Sequence, residues 1–314
     1  MKLLVNQRAV APGVVVLAVS LLAACEERVP PTPGRDVVID QASPPEDVAS
    51  PEDAVSPAED ATDVTVTVRD AMASDGAVQC RPNNDGVIDS DEFPYVLGAQ
   101  VLYQVNDDAT TVTGIQTAPT DMGMGPRWDF AAIVPSDRRV LDEVYSPAGR
   151  WWQMFYPSAS FALPANRAAS LHGVYRRTPD ALQLLASVSR DMNRSNVVFM
   201  PAVDTVRFPL REGSTWTITS SGNGILDGIG TSTSNVFRFL VDRRGTVFTP
   251  ANRFDVLRLR MDLEQTVTGT IIRRTQRTYL YLAECWGLVA RVVSVDNETA
   301  SEFTRASEYR RLGL

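Results

Sequence analysis

From about residue 100 onward, apolar and polar positions alternate with a period of two, the spacing that puts successive side chains on opposite faces of a strand. Leu257, Leu259, Met261 and Leu263 interleave with Arg258, Arg260, Asp262 and Glu264, which predicts a strand with one face in a core and the other in solvent. The same pattern predicts strands at 101–105, 128–134, 151–156, 182–188, 216–219, 237–241, 278–283 and 288–295, with a last one near 302–309. Turn chemistry separates them at Asn106-Asp107-Asp108, Ser146-Pro147-Ala148-Gly149, Thr178-Pro179-Asp180, Arg243-Arg244-Gly245 and Asp296-Asn297. Long amphipathic helical patterns are missing; at most a short helix is expected at 137–145 or 164–171. Residues 80–314 are therefore expected to form one mostly β domain, a single antiparallel curved sheet or half-barrel. A β-sandwich or a closed barrel would manage the sheet edges as well.

The first 79 residues follow no such period. Lys2 and Arg8 give a basic start, and residues 9–24 are apolar apart from Pro12, Gly13 and Ser20. This run is shorter than the roughly 20 residues a transmembrane helix needs, and has the form of an export signal. It ends in Leu22-Ala23-Ala24-Cys25, which resembles the lipobox of bacterial lipoproteins. That resemblance implies a signal peptide over residues 1–24, cut before Cys25, with a diacylglyceryl group on the sulfur and usually a palmitate-type chain on the amine. Small Ala23 and Ala24 suit a peptidase cleft, and the thiol is the nucleophile that takes the lipid. Acyl chains contribute about 0.8 kcal/mol per buried CH2, and two or more anchor stably. Glu26 stands where an Asp would, by the same resemblance, favour inner-membrane retention. The implied address is the cell envelope, at the outer membrane facing the periplasm or the surface. An ordinary signal peptide or a short signal anchor with a chance cysteine is the alternative.

Residues 26–79 carry thirteen Asp and Glu against Arg28, Arg35 and Arg69, and residues 44–60 form a loose Ser-Pro-x-Glu-Asp repeat without an aromatic residue. Such a stretch cannot bury enough apolar area to offset its ordering entropy, and Pro with like charges keeps it extended. A disordered acidic tether over residues 25–79 is expected. It changes the reading of the net charge of −8: the signal contributes +2 and the tether −10, while residues 80–314 balance 25 Arg against 25 Asp and Glu. A neutral domain argues against nucleic acid as a partner. Arginine pairs at 138–139, 176–177, 243–244, 273–274 and 310–311 are expected at turn ends and on solvated strand faces, where some could meet lipid headgroups or anionic glycans.

The single His and three Cys exclude sites needing two imidazoles or four thiolates, and Lys2 is the only lysine. With Cys25 lipidated, Cys80 and Cys285 remain, and an oxidising compartment favours one disulfide between them over two separate thiols. His172 has no Gly-x-Ser-x-Gly nucleophile elbow to serve. The glycine-rich run 222–230 lacks dinucleotide-fingerprint spacing and reads as a flexible hairpin connection. Asp142 and Glu143 diverge on any regular element, so they cannot pair as a glycosidase would require.

Residues 81–92 resemble an EF-hand calcium loop. Asn83, Asp85, Asp89 and Glu92 match its third, fifth, ninth and twelfth positions, Gly86 its sharp turn and Val87 its carbonyl ligand. Arg81 at the first position and Pro94 after the last depart from it, so the resemblance implies weak calcium at most, with a plain Asn/Asp-Gly turn as the alternative. A second likeness covers about residues 205–295. Phe208-Pro209-Leu210-Arg211-Glu212-Gly213-Ser214-Thr215-Trp216, then Thr249-Pro250-Ala251-Asn252-Arg253-Phe254, then Cys285-Trp286-Gly287-Leu288-Val289, are similar to uncharacterised bacterial lipoproteins of the LolA/LolB-like half-barrel type. That resemblance implies an open barrel with a hydrophobic concavity rather than an activity. Trp151-Trp152-Gln153-Met154-Phe155-Tyr156, read as a strand, has aromatic residues on both faces. One face packs the core, and Trp151, Trp152 and Phe155 are candidates for lining an apolar or lipid ligand surface.

The functional expectation is a membrane-anchored, non-enzymatic binding or envelope protein without a cofactor, calcium aside, and with a lipid or apolar ligand as the candidate partner. A carboxylate-dependent glycan hydrolase and a calcium-stabilised interaction module are the alternatives.

Overall fold

The computed structural model describes residues 80–314 apart from 108–111, 122, 135, 166–169, 191–193 and 314. The expected signal peptide, Cys25 and the acidic tether lie outside the described residues. The strands are β1 (Val87–Ile88), β2 (Gln100–Asn106), β3 (Thr120–Asp121), β4 (Pro126–Asp129), β5 (Arg138–Glu143), β6 (Phe161–Pro164), β7 (Leu171–Arg177) and β8 (Ala181–Ser189). They continue as β9 (Asn196–Arg207), β10 (Leu210–Arg211), β11 (Thr215–Leu226), β12 (Ile229–Phe248), β13 (Arg253–Val267), β14 (Arg273–Ala283), β15 (Gly287–Ser294) and β16 (Ala306–Leu312).

Antiparallel pairing runs β5-β2-β16-β15-β14-β13-β12-β11-β9-β8-β7-β6. A single bridge between Tyr145 and Ala162, just beyond β5 and within β6, brings the two ends together. The sheet therefore curls past a half-barrel to a nearly closed barrel, which leaves little free edge. The short strand β4 runs parallel to the end of β12, and β1 pairs with β10 outside the main sheet.

Period-2 alternation becomes the inside of the barrel. Leu259 lies opposite Val241 and Leu280, and Met261 opposite Phe239, and all five are buried. On the other face of β12, Arg238 and Leu240 are exposed. Trp216 stacks on Phe239 at 4.8 Å, and Tyr95, Phe161 and Tyr175 form a second stack at 4.2 and 5.5 Å. One continuous apolar cluster joins these groups.

Four local expectations are corrected. Arg243-Arg244-Gly245 is no turn: β12 runs straight through it, with a register irregularity between Val241 and Arg243 absorbing the extra residue. The run 222–230 is no flexible connection either, because β11 and β12 pair to their ends around the two-residue turn Asp227-Gly228, both at positive φ. Residues 138–143 are strand rather than helix. Residues 151–156 form turns and the 3-10 segment Gln153–Phe155 instead of a strand.

The polar face of β13 is not wholly solvated. Arg258 is 1% exposed because the chain around Thr117 and Glu302 crosses over it. Its guanidinium donates to the Thr117 carbonyl at 2.6 Å, to Asp242 at 2.7 Å and to Glu302 at 2.8 Å, while Trp128 Nε1 donates to the same carbonyl at 2.9 Å.

Candidate functional site

Three places gather the polar chemistry. The first is the strap formed by residues 80–97 at one end of the barrel. Cys80 and Cys285 are joined by a disulfide with a Cα–Cα distance of 5.5 Å, the bond expected from the cysteine count. Cys285 N–H also donates to the Glu92 carbonyl at 2.8 Å, so the strap is pinned at two points to the turn between β14 and β15. Ile88 and Phe93 of the strap, and Leu210 of β10, are fully buried.

Within the strap, the calcium candidates divide between two turns. Asn83 Oδ1 accepts from Asp85 N–H at 2.9 Å and Asp85 Oδ1 from Val87 N–H at 2.7 Å, which leads the chain into β1. Glu92 Oε2 accepts from Asp89 N–H at 3.0 Å. Burial pushes the Glu92 carboxyl up, opposed by the Asp89 N–H and reinforced by the charges of Glu284, Asp85 and Asp89. Among the described residues, no group of three or more His, Cys, Asp or Glu side chains is arranged to hold a metal ion.

The second place is a half-open pocket of about 210 Å³ between this strap and the barrel rim. Its walls come from Pro82, Asn84, Gly86 and Ile88 of the strap, Arg244 of β12, the start of β13 from Arg253 to Leu257, and the end of β14 with the turn to Trp286. Gly86 has φ +84°, and a Cβ there would stand 2.2 Å from Arg244 Nη1. A residue without a side chain is thus needed for Arg244 to lie along the strap. Arg244 Nη2 donates to the Asn84 carbonyl at 3.3 Å, and Glu284 Oε2 accepts from Asn84 N–H at 2.8 Å.

The third place is inside the barrel. Arg291 of β15, Glu308 and Arg310 of β16, and Asp142 of β5 point inward, and none is more than 7% exposed. Glu308 Oε1 accepts from Arg291 Nη2 at 2.5 Å and from Arg310 Nε at 3.0 Å, and Arg310 Nη1 also meets Asp142. Arg310 lies over the Tyr103 ring at 5.1 Å. Of the arginine pairs, 310–311 is thus not solvated at all; on the outer face Arg311 pairs with the buried Asp137 and covers Tyr309. Lone charges in this setting would cost several kcal/mol each, and the alternation of plus and minus offsets that cost.

Burial alone would raise Glu308, but the Arg291 and Arg310 guanidinium groups outweigh it and hold the carboxyl down at about 2. Burial raises Asp142, and Arg310 and Arg291 counter it only in part. The signs then separate. A depressed carboxyl stabilises the fold above its ordinary value of 4.5, and that stability is lost as the pH falls towards 2. The raised Asp142 works the other way, favouring the fold at low pH and losing that contribution as pH rises through its raised value. Glu308 is thus the group of this pair whose titration costs stability as the medium turns acid. Thermal melts between pH 5 and pH 2 are therefore expected to show a steep loss of stability that Glu308→Gln flattens; an unchanged slope in the variant would remove Glu308 from this role.

The aromatic candidates do not form one surface. Trp152 is 1% exposed and packs with Tyr156, Ala162, Val174 and Val188 in a satellite core on the outer face of β6–β8. It is a core residue and not a ligand-lining one. Trp151 Nε1 donates to the Ser189 carbonyl at 3.0 Å, and Phe155 stands 58% exposed against its edge. His172 lies on β7, buried, with its ring stacked on Tyr145 at 4.7 Å.

Period-2 reading missed the inner ion network, although a signal existed. Arg291 interrupts the otherwise apolar run Leu288-Val289-Ala290-Arg291-Val292-Val293, and Glu308 and Arg310 share a strand face with Ala306 and Leu312. A charge inside an apolar strand marks a buried pair. The rim pocket left no comparable signal, since its walls come from segments about 160 residues apart.

No protein-family model matches the chain, and no curated protein does. A crystal structure of a "putative lipoprotein" from Parabacteroides distasonis ATCC 8503 is similar over 70% of this chain and 96% of that one, with 9% identity and a TM-score of 0.33. A likeness of that size assigns neither a family nor an activity.

Proposed function

We propose that the protein is a lipid-anchored envelope protein whose disulfide-pinned β-barrel binds a ligand at its surface and carries out no chemistry. One observation carries the anchor: Leu22-Ala23-Ala24-Cys25 closes a basic-then-apolar leader and opens directly into a charged, proline-rich stretch. Binding in preference to hydrolysis is supported by the buried carboxylates, because Asp142 and Glu308 are both clasped by the Arg310 guanidinium in the barrel interior. Side chains fill the inward faces of the strands, which favours the rim pocket over the lumen as the binding place.

Expression of the full chain with radiolabelled palmitate is the test. Label is expected on the wild-type protein in the membrane fraction, whereas Cys25→Ala is expected to carry none and to lose membrane association. An unlabelled wild-type chain, or label that survives Cys25→Ala, would overturn the anchor.

A further inference from the structure

We propose that the rim pocket recognises one acidic sugar unit, a polyhydroxylated ring bearing a carboxylate, as found in uronic acids. This deepens the binding half of the proposed function and does not depend on the lipid anchor. Among the described residues neither Arg244 nor Arg253 forms an ion pair; both line the pocket, and the Arg244 guanidinium lies beside Gly86 and the Asn84 carbonyl. The two carboxylates on the walls are already engaged: Glu284 by the Asn84 and Gly86 N–H groups, and Asp255 by the Thr246 hydroxyl at 3.1 Å. Trp286 supplies an apolar wall, held edge-to-face by buried Phe254 at 5.2 Å.

These groups select by exclusion. A bare anion would gain from the two arginines but meet the carboxylates of Glu284 and Asp255 on the same walls. A neutral sugar would satisfy those acceptors with its hydroxyls and leave both arginines without a counter-charge. A ring with one carboxylate and several hydroxyls answers both demands, because a guanidinium fork matches a carboxylate in two parallel hydrogen bonds. Its flat C–H face has Trp286 to lie against. A volume of about 210 Å³ is below the roughly 300–1,000 Å³ of drug-sized sites, which suits one ring. Longer chains could leave through the open side.

The strap gives the pocket its shape. Asn84 and Gly86 sit on a segment closed by the disulfide and the Glu92–Cys285 hydrogen bond, so the site is set before the ligand arrives.

Isothermal titration of the full-length protein in detergent with D-galacturonate, D-galactose and inorganic phosphate tests the proposal. Galacturonate is expected to bind at least ten-fold more tightly than either of the others. Arg253→Gln, an exposed position that should leave the melting temperature unchanged, and Arg244→Gln, which also gives up the hydrogen bond to the Asn84 carbonyl, are each expected to weaken it ten-fold or more. Galactose binding as well as galacturonate overturns the acidic requirement, and phosphate binding as well overturns the sugar. No heat with galacturonate, or full affinity in both arginine variants, overturns the site itself. Palmitate labelling is read separately, so failure of the anchor and failure of the pocket are told apart.

Discussion

Replacing Arg310 with methionine is expected to destabilise the barrel by about 3–5 kcal/mol, the usual cost of removing one partner from a buried ion network. Methionine fills nearly the same space, so little of the loss comes from a cavity. The Arg310 guanidinium touches both Asp142 and Glu308. Without it Asp142 loses its ion pair with Arg310 inside the barrel, and Glu308 loses one of its guanidinium contacts while keeping that of Arg291. For a domain of this size that corresponds to a fall in melting temperature of roughly 6–20 °C. Adding Asp142→Asn should recover part of the loss, since a neutral amide leaves no unpaired charge. Circular-dichroism melts of the single and double variants check both points. A fall of under about 1 kcal/mol would mean that water reaches the network.

The paired substitution Cys80→Ala with Cys285→Ala is expected to cost about as much again. The bond closes a loop spanning 205 residues of sequence, for which the chain-entropy model gives roughly 5 kcal/mol at 25 °C. Denaturant titration of the oxidised protein and the double variant measures the difference. It should be accompanied by faster proteolysis within the strap, because residues 80–97 would then be held by the β1–β10 pairing, the Glu92–Cys285 hydrogen bond and the burial of Ile88 and Phe93. Equal midpoints for the two proteins would mean that the strap is seated by packing alone.

These two features were unequally visible in the amino-acid order. The disulfide was favoured by counting, since lipidation of Cys25, as the lipobox resemblance implies, would leave two thiols. Likewise the β13 alternation fixed a strand and its buried face, because a period of two admits few other readings. What failed were inferences about what covers a face. Arg258 sits in a polar row that looks solvated, yet the segments carrying Thr117 and Glu302 fold over it. No local pattern announces a neighbour 141 residues away in sequence. Arg243-Arg244-Gly245 has turn composition, but the flanking strands impose their ladder and a bulge takes up the misfit. The aromatic stretch at 151–156 failed for a different reason. Large apolar side chains satisfy a strand template and a compact turn equally well, and Trp152 needed only a hole to fill.

The order of strands has a temporal consequence. The sheet neighbours of β16 are β2 and β15, so the latest of the described strands in the sequence is the one that joins the first long strand to the rest. Until it docks, β2 and β15 present two open edges, Asp142 and Asp137 face no guanidinium from Arg310 or Arg311, and Arg291 lacks Glu308. Contacts between residues about 200 positions apart make such closure slow. A chain lacking β16 would retain most of its apolar surface and still be unable to close the sheet, so β16 serves as a completeness check on the whole barrel.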